Sequence, residues 1–135
     1  MSVDELNRLC RNTLVSHLGI QITAAGPDGV SGSMPVDDRV RQPMGVLHGG
    51  ASVALAETLA SIGAFLAIDT TRKHCVGLEI NANHIRAVTA GQVHGSARPL
   101  HLGARTQVWE CEILDQQGAL VCVGRVTMAV LDRQP

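Results

Sequence analysis

Apolar residues fall at helical spacing in two stretches of this chain and at alternate positions through most of the rest. Ser2 and Glu5 stand in the relation of a capping box, and Leu6, Leu9 and Cys10 follow on one helix face, so a short N-terminal helix is predicted. Between Leu18 and Val36 the period shortens to two. Gly19-Ile20-Gln21-Ile22-Thr23 and Val30-Ser31-Gly32-Ser33-Met34 alternate on either side of Gly26-Pro27-Asp28-Gly29, the pattern of two strands joined by a turn. The run from Ala51 to Ile68, entered through His48-Gly49-Gly50, predicts one long apolar helix. Four strands are predicted after it: Cys75 to Arg86, Gly91 to Arg98, Ala104 to Leu114 and, past the Asp115-Gln116-Gln117-Gly118 turn, Ala119 to Leu131. In the last of these Leu120, Cys122, Gly124, Val126, Met128 and Val130 share one face, with Arg125 and Thr127 on the other.

About six antiparallel strands and a single very apolar helix have one economical arrangement, in which the sheet wraps round the helix. The expected class is therefore α+β with a hotdog architecture, and residues 1–135 form a single domain of ordinary size. Gly77, Gly95, Gly103 and Gly124 fall in the predicted strand region, as a strongly curved sheet would require. Phe65 and Trp109 are the only aromatic residues, so the core is built from Val, Leu, Ile and Ala.

Charge narrows the range of functions. A net charge of -1 with no basic block excludes phosphate-backbone binding, and with it a nucleic-acid partner. Cys10, Cys75, Cys111 and Cys122 show no C-x-x-C spacing, and a chain with 45% hydrophobic residues has no need of disulfides. The polar, acidic start Met1-Ser2-Val3-Asp4-Glu5 lacks the basic and apolar regions of a secretory signal, which points to the cytoplasm. Ala51 to Ile68 is long enough to raise the question of a membrane. Its alanine content and central Glu57 instead favour a buried helix of a protein without a membrane partner.

Glu57 is the one formal charge between Arg41 and Asp69. A carboxylate on a buried helix must be paired, neutralised or used. At the start of the same helix, Gly49 and Gly50 let a ligand approach amides that lack intrahelical acceptors, where the helix dipole favours negative charge. That is the making of an oxyanion hole. Glu57 lies eight residues past Gly49, or about 12 Å along the axis, whereas a reacting carbonyl must lie about 3 Å from both groups. If the two cooperate, Gly49 of one copy meets Glu57 of another, which predicts a two-fold dimer. Ser61 lies one turn beyond Glu57 on the same face. Gln42, before Pro43, and His48, at the helix entrance, are further candidates.

Gln42-Pro43-Met44-Gly45-x-x-His48-Gly49-Gly50, with Glu57 and Ser61 downstream, resembles the hotdog-fold acyl-CoA thioesterases related to 4-hydroxybenzoyl-CoA thioesterase. Val76-Gly77-Leu78-Glu79-Ile80-Asn81-Ala82-Asn83-His84 and Pro99-Leu100-His101-Leu102-Gly103 extend the likeness towards the 1,4-dihydroxy-2-naphthoyl-CoA and enterobactin-proofreading branches. The resemblance implies Glu57 as nucleophile or general base, the Gly49 amide as oxyanion donor, Gln42 and His48 positioning carbonyl and leaving group, and Ser61 assisting hydrolysis. It also implies that His84 and Arg86, placed on one strand face, contact the pantetheine or nucleotide, that Arg105 is a weaker candidate for the phosphates, and that Ile62 lines the acyl pocket. No cofactor or metal is implied. The substrate the resemblance implies is acyl-CoA, most of all an aromatic acyl-CoA, or a thioester of an acyl or aryl carrier protein. Family members usually assemble as a dimer of dimers, a homotetramer.

Two other readings use the same fold. A 3-hydroxyacyl thioester dehydratase needs a histidine free to take a substrate proton, whereas His48 directly precedes the Gly-Gly turn. A non-catalytic acyl-CoA-binding regulator carries an added DNA-binding segment, for which this chain has neither room nor charge. His74, Cys75, His84, His94 and His101 lack the short spacings of a metal site.

Overall fold

The computed structural model describes residues 1–134. Two short helices, α1 (Val3–Leu9) and α2 (Leu14–His17), precede the hairpin of β1 (Gln21–Gly26) and β2 (Gly29–Pro35). The long helix α3 (Gly49–Leu66) follows, then β3 (Lys73–His84), β4 (Gln92–Leu102), β5 (Thr106–Leu114) and β6 (Leu120–Asp132). The strands form one antiparallel sheet in the order β1-β2-β4-β5-β6-β3, so β1 and β3 are its edges. α3 packs against all six strands, which is the hotdog arrangement. Register shifts at Ile22/Ala24, Gly77/Glu79 and Pro99/His101 bend the strands, because an extra residue on one side of a ladder kinks it and increases its twist.

Leu55, Leu59, Ala60 and Ala64 of α3 are fully buried against Met34, Val93, Ala97, Ile113, Val126 and Met128 of the sheet. Gly32 and Gly95 are register partners on β2 and β4. A Cβ on either would lie 2.9 Å from the Leu59 side chain, so the helix sits this close only because both positions lack one. Full burial of each leucine contributes about 1.5–3 kcal/mol. Trp109 fills the groove over Gly63 and donates its indole N–H to buried Gln107 at 2.9 Å. The four cysteines are free thiols. Cys111 donates to Ala56 O at 3.6 Å, and burial pushes its pKa up to about 12, so it stays a neutral thiol.

Three sequence expectations need correction. α3 is not buried all round. Ala51, Ser52, Leu55, Ala56, Leu59, Ala60, Gly63 and Ala64 enter the core, while Ala54, Glu57, Thr58, Ser61 and Ile62 form a half-buried face. Alanine-rich helices look uniformly apolar in sequence, and only the packing partner distinguishes their faces. β3 ends at His84, and Ile85 and Arg86 both donate to Val121 O, so strand alternation does not place Arg86 on the His84 face. Gly103 lies in the β4–β5 turn, its amide bonded to Thr106 O at 2.9 Å, and so plays no part in strand curvature. The predicted N-terminal helix is present with its capping box: Ser2 Oγ accepts from Glu5 N, and the Glu5 carboxylate accepts from Ser2 N. α2 had no helical period long enough to be read.

Candidate active site

The loop leading into α3 is held by its own backbone. Gln42 N donates to Val46 O and Gly45 N to Gln42 O, both at 2.9 Å, with Gly45 at φ +83°. The Gln42 side-chain oxygen accepts from Met44 N, while its amide N–H groups donate to nothing among the described residues. Leu47 N and His48 N bond to Val88 O and Val40 O at 2.8 Å. The helix entrance is therefore anchored to two separate segments.

His48 is the N-cap. Its Nδ1 accepts from Gly50 N at 2.8 Å, and its carbonyl accepts from Ala51 N and Ser52 N at 3.0 and 3.3 Å. While the Nδ1 bond stands, that atom is an acceptor and Nε2 carries the ring proton. Of these first-turn amides, only Gly49 N–H donates to nothing among the described residues. An unpartnered amide at the positive end of an 18-residue helix is a preorganised anion donor.

The side chains gathered round α3 rest on two positions of β3. The His84 imidazole lies against Gly49, where a Cβ would be 2.8 Å from His84 Nε2. The Glu57 carboxylate lies over Gly77, where a Cβ would be 2.7 Å from Glu57 Oε1. Glu57 is half-buried and has no ion-pair partner among the described residues. The requirement that a buried charge be paired is met differently here, because water reaches the carboxylate.

Glu57, Ser61 and Ile62 are brought together in one cleft of about 440 Å³. Its facing wall is the N-terminal arm, with Leu14, Val15 and Leu18 opposite Ala54 and Thr58. Within one copy, Gln42, His48, Gly49 and His84 gather at the start of α3, apart from the Glu57 cleft. Arg86 follows just past β3 and is exposed. Arg105 lies elsewhere, in the β4–β5 turn, with its carbonyl accepting from Val130 N; Val130 is opposite Cys75 near the start of β3. Nine residues of strand, roughly 30 Å at 3.3 Å per residue, separate that end from His84. The part of Gly77 and the arm wall went unread in the sequence. A glycine inside a strand pattern was the only signal for the first, and the second depends on a contact between distant segments.

The thioesterase superfamily profile matches residues 44–122. The chain is 46% identical to the 1,4-dihydroxy-2-naphthoyl-CoA hydrolase of Escherichia coli K12 over 131 residues, covering 97% of this chain and 96% of that protein. It is 51% identical to the proofreading thioesterase EntH of Cronobacter turicensis over 133 residues, covering 97% and 95% of the two chains. The crystal structure of a mutant thioesterase PA1618 from Pseudomonas aeruginosa superposes with a TM-score of 0.96 at 43% identity, covering 98% of this chain and 96% of that one. This chain belongs to the thioesterase superfamily and is a thioester hydrolase with the hotdog fold.

Proposed function

We propose that this chain hydrolyses aromatic acyl-CoA, of the dihydroxynaphthoyl or hydroxybenzoyl kind, in sites shared between two copies. The free Gly49 amide receives the thioester carbonyl oxygen, and Glu57 of the other copy serves as nucleophile or as base to water. By the base route the water oxygen bonds to the carbonyl carbon as Glu57 takes its proton, the C–S bond breaks, and the departing thiolate takes up that proton as the CoA thiol. By the nucleophile route Glu57 forms a mixed anhydride as the thiolate leaves, and water then hydrolyses it to the free acid and supplies the thiol proton. Gln42 and His48 orient the carbonyl and the leaving group, and Ser61 lies within reach of the water. His84 and Arg86 take the pantetheine or nucleotide of CoA. The cytoplasm is the compartment this reading expects.

The observation that carries the shared site is the seating of both groups on the open edge strand. Glu57 rests on Gly77, and Gly49 rests against His84. Two β3 strands paired antiparallel with residue 77 opposite residue 84 would set Glu57 of each copy beside Gly49 of the other. The same pairing carries the Arg105 end of one copy to the His84 end of its mate, where phosphates would lie. A dimer of such dimers is the tetramer expected of the family.

A thioester panel with free-thiol detection tests the reading. Glu57→Ala is expected to lower the hydrolysis rate roughly 10³-fold or more, in the range lost when a main catalytic group is removed. Full activity in that variant overturns the assignment. Mixing Glu57→Ala with a Gly49-blocked variant should restore activity through hybrid dimers, and hybrids that form without activity refute the shared site. Carrier-protein thioesters belong in the panel, because one relative carries the name of a proofreading thioesterase.

A further inference from the structure

The cleft beside Glu57 has a second wall that the reaction does not explain. It comes from α1, α2 and the segment that follows them, through Cys10, Leu14, Val15, Leu18 and Ile20. This arm is fixed to the fold at several points. Asn7 donates to Ile22 O and accepts from Ile22 N, each at 2.9 Å, Leu6 is buried, and Arg39 donates to His17 O at 3.1 Å. Asn12, at φ +58°, turns the chain between the helices, and Thr13 caps α2. The arm is thus a preformed wall. It nevertheless leaves Leu14 63% exposed at the cleft.

The lining has a definite chemistry. Among the described residues of one copy, Glu57 is the only charged residue of the lining, and no cation or aromatic ring takes part. The Thr58 hydroxyl already donates to Ala54 O at 2.6 Å. A volume of about 440 Å³ falls within the roughly 300–1,000 Å³ of small-molecule sites. The resemblance already sets the acyl group beside Ile62, in this cleft; we infer that the N-terminal arm, through Leu14, is the wall that sets acyl specificity and rejects acyl groups ending in a carboxylate. The inference rests on the Glu57 site proposed above. A second carboxylate would enter an apolar cleft with no counter-ion, beside the charge of Glu57.

The test uses benzoyl-, octanoyl-, acetyl- and succinyl-CoA with the wild type and Leu14→Trp. The wild type should cleave benzoyl- and octanoyl-CoA roughly a hundredfold better than succinyl-CoA in kcat/KM, and Leu14→Trp should lower the first two roughly tenfold while acetyl-CoA stays within about twofold. Succinyl-CoA cleaved as well as benzoyl-CoA, or an equal loss on all four substrates, overturns the inference. So does a change in sedimentation without a change in selectivity, which would make the arm an interface between copies. Should Leu14→Trp not fold, Cys10 of the wild type decides. Its alkylation should slow with a non-cleavable octanoyl thioether of CoA and not with CoA alone, and an unchanged rate overturns the inference. A wild type that cleaves none of the four, nor any carrier-protein thioester, fails the Glu57 site instead and is thereby distinguished.

Discussion

The sheet has two edges, and they are finished in opposite ways. β1 is six residues long, and Asn7 of α1 takes both the N–H and the C=O of Ile22. β3 is twelve residues long and pairs with β6 alone, and Val76 and Leu78 stand 42% and 60% exposed along it. A long, apolar, unpaired edge is a template for another strand, and folded proteins normally cover or charge it. This chain covers its short edge and leaves the long one open. The open edge is also the one on which Glu57 and, through His84, Gly49 are seated. Under the proposed shared site, the contrast gives stability to the β1 edge and assembly with catalysis to the β3 edge.

The largest effect is expected from closing the open edge. Leu78 is exposed at the register shift between Gly77 and Glu79, so Leu78→Asp should leave the fold of each copy intact while placing a charge where a second strand would pair. Sedimentation velocity should show monomers, and thioester hydrolysis should fall roughly 10³-fold through loss of the oxyanion donor opposite Glu57. A fully active monomer would show that one copy suffices and would erase the contrast between the edges.

A smaller effect separates seating from assembly on the same strand. In Gly77→Ala the new methyl meets only the far end of the flexible Glu57 side chain. Stability should therefore move by no more than about 0.5 kcal/mol, while kcat falls roughly a hundredfold with KM little changed. Glu57→Asp withdraws the carboxylate by one methylene, so its cost should shrink when Gly77→Ala is already present. Additive losses in that double-mutant cycle would mean that Gly77 does not seat the carboxylate.

What could be read in the sequence follows from which forces act locally. The period of two marked β1, β2 and β6, and the run from Ala51 to Ile68 marked α3, because side-chain direction is set by the backbone alone. The same logic joined Glu57 to Ser61, and helix-length arithmetic separated Glu57 from Gly49. Hidden were the features fixed by contacts between distant segments. The half-buried face of α3 is defined by which side the sheet leaves uncovered, the cleft by the return of Val15 and Leu18 onto the helix, and the seat of Glu57 by a glycine some twenty residues away. Arg86 was misplaced because an alternating pattern does not show where its ladder ends.

The smallest effect belongs to the covered edge, and its sign pattern is the reverse. Asn7→Ala removes two hydrogen bonds and leaves the Ile22 amide and carbonyl without their side-chain partner. The expected loss is about 1–3 kcal/mol of stability, seen as a lower midpoint in thermal or urea unfolding. Dimerisation and acetyl-CoA hydrolysis should persist, because no group of the proposed chemistry touches the Asn7 clasp. Discrimination between octanoyl- and acetyl-CoA should weaken as the arm loosens, tying this edge to the cleft wall alone. If Asn7→Ala instead dissociated the assembly while Leu78→Asp did not, the roles assigned to the two edges would have to be exchanged.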